Sequence, residues 1–113
     1  MALSGLLLGA ATIGLRAAAQ PEEQVIKILA RRFTYTPNKL SLKQGVPVIL
    51  ELTTADVLMG FSAPDFDVRA DIIPGKAARV RLVPDKTGTF TFLCDIFCGS
   101  GHETMSGTIT VVA

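Results

Sequence analysis

The sequence predicts an all-β domain, an antiparallel sandwich or barrel of about seven to eight short strands, and three observations support this prediction. Runs rich in β-branched or alternating apolar residues recur from Gln24 onward. Turn-forming Pro, Gly, Asn and Asp residues separate these runs at short intervals. No segment after Gln24 carries the sustained apolar stripe of an amphipathic helix. The length of 113 residues fits one domain, and a composition with 49% hydrophobic and 19% charged residues favours a packed core.

The first half of the domain is predicted to contain three strands. A run of β-branched residues begins at Val25 and ends near Phe33, and a Pro-Asn turn signal follows it. Leu40 and Leu42 alternate with polar residues, which is typical of a half-buried strand. After a Gln-Gly turn, residues 46–53 form the next predicted strand, with alternate apolar side chains on one face.

The second half is predicted to begin with a looser stretch over residues 54–71. The predicted elements that follow are, in order, a turn at 73–76, a strand at 78–83, a loop at 84–88, a strand at 89–93 and a closing strand at 106–112.

The first nineteen residues differ from the rest of the chain. The segment from Leu3 to Leu15 is apolar or small and uncharged, and Ala17-Ala18-Ala19 follows it, which predicts a secretory signal peptide over residues 1–19. No basic residue precedes Leu3, so a retained N-terminal anchor is the alternative, and only then would the membrane be a partner. We therefore expect a periplasmic or otherwise exported domain over residues 20–113.

The charge balance excludes one class of partner. The formal net charge is +1, which gives no electrostatic reason to expect nucleic acid or an anionic membrane surface. The chain has no Trp and one Tyr, so a platform for stacking nucleic-acid bases is also poorly supported.

The residues capable of binding a soft metal ion are concentrated in one segment. Both cysteines, the only histidine and one of three methionines lie between Leu93 and Gly107, with the spacing Cys94-x3-Cys98-x3-His102-x2-Met105. Thiolate, imidazole and thioether groups are the ligands that copper selects, whereas Mg²⁺ and Ca²⁺ prefer oxygen. The segment therefore predicts a copper site.

With this spacing, the segment resembles the dinuclear copper A loop of cytochrome c oxidase subunit II and nitrous-oxide reductase. More broadly, the chain resembles the cupredoxin family, because the sequences at 42–45, 73–75 and 88–94 also match that family's framework. The resemblance implies a cupredoxin-like antiparallel Greek-key β-sandwich or barrel that holds one or two copper ions.

The resemblance also implies a role for each residue of the loop. Cys94 and Cys98 are expected to be bridging thiolates, and His102 is expected to bind copper through an imidazole nitrogen. Met105 would be a weak thioether ligand. The backbone carbonyl of Ile96 would face the second copper ion.

One position departs from the family's pattern. The family carries a histidine ligand in an Asp-Val-x-His context, and the corresponding sequence here is Asp56-Val57-Leu58-Met59. Met59 is therefore either a thioether ligand or an apolar side chain that fills the site. A site with this additional sulfur should favour Cu(I).

Two other interpretations of the loop remain open at the level of sequence. Cys94 and Cys98 would form a disulfide if their Cα atoms approach within about 5.5 Å. A Cys2His set also occurs in zinc sites, although a thioether is a poor zinc ligand.

The sequence favours a non-enzymatic function. One-electron transfer to a redox partner is the first hypothesis, with a hydrophobic rim of Phe61, Ala63 and Phe97 as the expected docking surface. A periplasmic Cu(I) carrier or store that delivers copper to an acceptor such as an oxidase is the second. A metal-free interaction module is the third. Catalysis is not expected, because Met, Cys and His ligands leave little coordination space for a substrate.

Overall fold

A computed structural model describes residues 23–113 of the chain. The predicted signal or anchor at 1–19 lies outside the described residues, so its boundary stays a prediction. The described residues form nine strands: β1 (Gln24–Arg31), β2 (Thr34–Thr36), β3 (Lys39–Lys43), β4 (Val48–Thr54), β5 (Met59–Ala63), β6 (Val68–Ile72), β7 (Ala78–Leu82), β8 (Gly88–Leu93) and β9 (Ser106–Val112). Neither of the short 3₁₀ turns found in residues 23–113 has the length or apolar character needed to cross a membrane.

The strands form two sheets that pack into a cupredoxin-like β-sandwich. One sheet has the order β2-β1-β4-β7 and the other has the order β3-β9-β8-β5-β6. The predicted all-β sandwich is confirmed. The pairing is mixed, however, because β1 runs parallel to β4 and β3 runs parallel to β9.

Alternating side chains build the core between the sheets. In β4, Val48, Leu50 and Leu52 point inward while their neighbours are more exposed. The rings of Tyr35, Phe61 and Phe92 pack with centroids 5.0–6.2 Å apart. Burying such apolar surface is the main favourable term in folding.

The stretch expected to be loose is ordered, so that prediction is wrong. It contains β5 and β6, joined by a 3₁₀ turn over Pro64–Phe66 and paired in register from Met59↔Ile72 to Ala63↔Val68. Strand β5 lies inside the five-stranded sheet and is buried at four of its five positions. A strand buried on both faces lacks the apolar–polar alternation that identified the other strands.

Candidate metal centre

The loop from Cys94 to Met105 connects two paired strands. Leu93 at the end of β8 is opposite Ser106 at the start of β9, and the backbone N–H of Cys94 donates a 3.2 Å hydrogen bond to the carbonyl of Met105. The inward-facing positions of β8 continue from Phe92 to Cys94, which brings that thiol into the core. The loop is therefore closed at its base by the sheet itself.

The structure brings four predicted ligands together around one thiol. The Cys98 sulfur lies 3.9 Å from the Cys94 sulfur, 3.8 Å from Nδ1 of His102 and 3.9 Å from the Met105 sulfur. The ligand atoms of Cys94, Cys98 and His102 all lie within 4.8 Å of one another. Two soft sulfur atoms and one imidazole nitrogen thus lie around the Cys98 sulfur.

The separation of the two thiols suits a shared metal ion. Both cysteines are free thiols, and their 3.9 Å separation is much longer than a disulfide bond of about 2.05 Å. Two thiolates that bind one ion at about 2.3 Å, with a tetrahedral or trigonal angle, stand about 3.8–4.0 Å apart. The donor set is also the soft set that copper prefers, so these residues fit copper.

The Ile96 carbonyl belongs to the same cluster. The Cys94 thiol donates a hydrogen bond to this oxygen at 3.1 Å. Once the thiol loses its proton to bind a metal, the oxygen no longer has this donor. The carbonyl therefore lies beside the position where a metal would bind Cys94.

Met59 occupies a different position from the other predicted ligands. It begins β5 and is completely buried, and its neighbour Gly60 lies against the loop residues Asp95 and Ile96. Within residues 23–113, however, the hydrogen bonds among the cluster's sulfur and nitrogen atoms do not include the Met59 sulfur. Met59 is therefore buried at the start of β5, beside a glycine that lies against the loop, and its role as a ligand stays a prediction.

Burial affects the protonation of one thiol of the cluster. It raises the pKa of the Cys98 thiol above its ordinary value of 9.0, and the neighbouring Cys94 raises this pKa further. Burial, with Cys94 as the next cause, also raises the pKa of Tyr35, whose hydroxyl donates to the Gly60 carbonyl at 2.7 Å. A metal must therefore displace thiol protons, and binding should release them.

One side of the cluster reaches the surface. Cys94, Cys98 and Met105 are 6% exposed or less, whereas His102 is half-buried. The ring of Phe97 is 75% exposed and lies 5.7 Å from the His102 ring, measured between centroids. Of the four side chains in the cluster, His102 is therefore the closest to solvent.

The predicted hydrophobic rim is wrong in two of its three residues. Phe61 and Ala63 are completely buried, because β5 is an interior strand and not a surface loop. Of the three residues, only Phe97 is exposed.

An aromatic ring supports the second half of the loop. Phe33 has a φ of 75°, unusual for a residue with a side chain, and its ring lies under Gly99 and Gly101. A Cβ atom at either glycine would lie within 3.0 Å of this ring. The loop can approach Phe33 this closely only because both positions lack a side chain.

Sequence reasoning missed an ion pair beside the loop. Nε of Arg69 donates to Asp95 at 2.6 Å and Nη2 donates to the other oxygen of the same carboxylate at 2.8 Å. The hydrogen bonds from Arg69 lower the pKa of Asp95 below its ordinary value. The two residues are 26 positions apart, and no local motif links them.

Comparison with known proteins identifies the class to which this fold and site belong. A family model described as a cupredoxin-like domain matches residues 4–111, so the chain belongs to the cupredoxin-like family.

Within that family, the chain is similar to cytochrome c oxidase subunit 2 of Thermus thermophilus, with 32% identity over 91 residues that cover 80% of this chain and 67% of that protein. It is also 38% identical to the alternative cytochrome c oxidase subunit 2 of Bradyrhizobium diazoefficiens over 74 residues, which cover 66% of this chain and 27% of that one. The chain therefore spans from about a quarter to two thirds of the length of these relatives.

A solved structure shows the same fold. The periplasmic domain of cytochrome oxidase subunit II from Bradyrhizobium japonicum superposes with a TM-score of 0.74 at 24% identity, covering 81% of this chain and 86% of that one. The cluster of Cys94, Cys98 and His102 fits a copper A-like site.

Proposed function

We propose that this chain binds copper through Cys94, Cys98, His102 and Met105 and transfers single electrons. The observation that carries the proposal is the convergence of the Cys94 sulfur, the Met105 sulfur and the His102 imidazole nitrogen on the Cys98 sulfur, at 3.8–3.9 Å. The family membership and the similarity to cytochrome c oxidase subunit 2 support it. Copper, when bound, supplies a one-electron couple.

Each residue of the loop has a proposed part in holding the ion. The two thiols bind as thiolates, His102 binds through its imidazole and Met105 contributes a weak thioether. The carbonyl of Ile96 is a proposed oxygen donor. One or two copper ions fit this proposal.

The surroundings of the proposed site suit electron transfer. The three sulfur ligands are buried, and the loop is fixed at its base and supported by Phe33, so the donor atoms move little when the charge on the ion changes. His102 lies at the surface beside the exposed ring of Phe97. A redox protein docking over this ring would approach the site through His102, in a small and weak interface.

A second candidate function is delivery or storage of Cu(I). The observation that favours it is the concentration of sulfur, because Met105 contacts Cys98 and Met59 is buried at the position where the family carries histidine. Sulfur ligands retain the reduced ion. In this case the partner is a copper acceptor instead of a redox protein.

Residues 1–19 are proposed to direct export, so that the domain at 20–113 works in the periplasm or outside the cell. Mass spectrometry of protein recovered from the periplasm would test this proposal. A chain that retains residues 1–19 in the cytoplasm would contradict it.

Copper titration tests the function. The metal-free protein, with both thiols reduced, is titrated with Cu(I) against a competing chelator and separately with Cu(II), and absorption and paramagnetic resonance spectra are recorded. Electron transfer requires a reversible couple and an intense thiolate-to-copper absorption. Tight Cu(I) binding with no coloured Cu(II) form would contradict electron transfer and favour the carrier.

Two variants decide the role of Met59. Met59→Leu removes the sulfur and approximately conserves the volume, so an unchanged copper spectrum would show that Met59 is not a ligand. Met59→His restores the family's imidazole, and a mixed-valence dinuclear signal in this variant would identify a modified copper A centre.

A further inference from the structure

The side chain of Asp95, which lies in the chain between Cys94 and Ile96, is held by a residue outside the loop. Asp95 receives two hydrogen bonds from Arg69 on β6, at 2.6 and 2.8 Å, which is the bidentate geometry of a strong arginine–carboxylate pair. Nη1 of the same guanidinium donates to Asp71 at 2.9 Å, so Arg69 is itself fixed on its strand.

Asp95 also packs against strand β5. Its carboxylate and the Ile96 side chain lie directly over Gly60 of β5, where a Cβ atom would overlap the Asp95 oxygen. The Gly60 carbonyl accepts the hydroxyl of buried Tyr35. The backbone on which Asp95 rests is therefore itself anchored in the core.

Global stability does not explain this arrangement well. The side chains of Arg69 and Asp95 are 46% and 27% exposed, and exposed ion pairs contribute about 0–1 kcal/mol. The ion pair instead acts on the loop, because Asp95 lies in the chain between Cys94 and Ile96. The Cys94 thiol and the Ile96 oxygen are already 3.1 Å apart.

We propose that Arg69 is a positioning residue that, through Asp95, holds the Cys94 sulfur and the Ile96 carbonyl oxygen in the arrangement that binds copper. The proposal rests on the copper-binding function proposed above. The side-chain hydrogen bonds of Arg69 go to Asp95 and Asp71 and to none of the proposed ligands, so it acts through the carboxylate that it holds. Residues that orient metal ligands in this way affect metal affinity although they do not bind the ion.

The test compares Arg69→Gln with Arg81→Gln in the full chain. Arg81 is a matched control, because it forms an exposed ion pair with Glu23 at 2.7 Å, in the other sheet. We expect Arg69→Gln to weaken Cu(I) affinity roughly 10-fold, measured against a competing chelator, and to shift the thiolate-to-copper absorption. Arg81→Gln should change neither property, and the two variants should unfold at similar urea concentrations.

Three further variants, Arg69→Lys, Asp95→Asn and the double variant Arg69→Gln with Asp95→Asn, test whether the residues act as a pair. Arg69→Lys keeps the charge without the rigid fork, so we expect an affinity between those of wild type and Arg69→Gln. The double variant should bind copper only slightly more weakly than Asp95→Asn alone, because Asp95→Asn already breaks the ion pair. Full additivity of the two changes, or wild-type affinity in Arg69→Lys, would overturn the proposal.

A metal-free measurement separates this proposal from the copper-binding function. If the pair holds the loop, Arg69→Gln should speed alkylation of the two buried thiols in metal-free protein, and Arg81→Gln should not. Wild-type affinity and spectrum in Arg69→Gln would overturn the positioning role and leave the copper function intact. A wild-type protein that binds no copper would overturn the function, and equal alkylation rates in both variants would then overturn the positioning role as well.

Discussion

Replacing Gly60 with alanine tests how closely the metal loop packs on the sandwich. The φ of Gly60 lies outside the left-handed region, so alanine is permitted by the backbone. The added methyl group would overlap the Asp95 carboxylate oxygen and lie 3.2 Å from Cγ1 of Ile96. The substitution therefore pushes the loop away from β5 without straining the strand.

The expected cost follows from three contributions. Overpacking costs about 1–3 kcal/mol, and loss of the exposed ion pair to Arg69 adds about 0–1 kcal/mol. Alanine in a strand interior is more stabilising than glycine by about 0.5–1 kcal/mol, which offsets part of this cost. We expect Gly60→Ala to lower the free energy of unfolding by about 1–2 kcal/mol, which is about 5–15 °C in Tm for a domain of this size.

Urea denaturation of the metal-free protein measures this change, and a double variant identifies its cause. Asp95→Ala removes the carboxylate that the new methyl group would meet, so Gly60→Ala with Asp95→Ala should be more stable than Gly60→Ala alone. The reasoning would be refuted if Gly60→Ala were as stable as wild type, or if it lost the same stability with and without Asp95.

Three further outcomes are expected. Phe92→Ala should lower the free energy of unfolding by about 3–5 kcal/mol in urea denaturation, because its completely buried ring packs against Tyr35 and Phe61. The metal-free protein should lose stability as pH rises above 9.0, the ordinary pKa of Cys98, because the unfolded chain releases a proton that burial retains in the folded state. Urea denaturation at about pH 8 and about pH 10 should show a smaller loss in Cys98→Ser than in wild type. Copper at 1,000 times its Kd should raise the free energy of unfolding by about 4 kcal/mol, and an excess of chelator should reverse the rise in a thermal melt.

The sequence predicted which side chains of the loop meet better than it predicted their surroundings, for a local reason. The four loop ligands lie within twelve residues, so their spacing nearly determines which side chains can meet, and the structure brings all four together. Strands such as β4 were predictable because they alternate between a core and a more exposed face.

Features that depend on distant parts of the chain escaped prediction. Strand β5 is buried on both faces, so it gave no alternation, and its Phe61 and Ala63 were wrongly expected at the surface. The parallel pairing of β1 with β4 depends on topology and not on side-chain pattern. The ion pair between Arg69 and Asp95 joins β6 to the loop across 26 positions, and no spacing rule indicates such a partner.

The ring of Phe33 beneath the loop has a consequence for redesign. Because Gly99 and Gly101 lie against this ring, nearly all folded variants selected from a combinatorial library of the loop should retain glycine at these two positions. The exposed positions Ser100 and Glu103 should accept many residues. Gly99 also has a φ of 144°, which disfavours any side chain there. A grafted loop from another protein should therefore fold here only if it carries glycine at both positions.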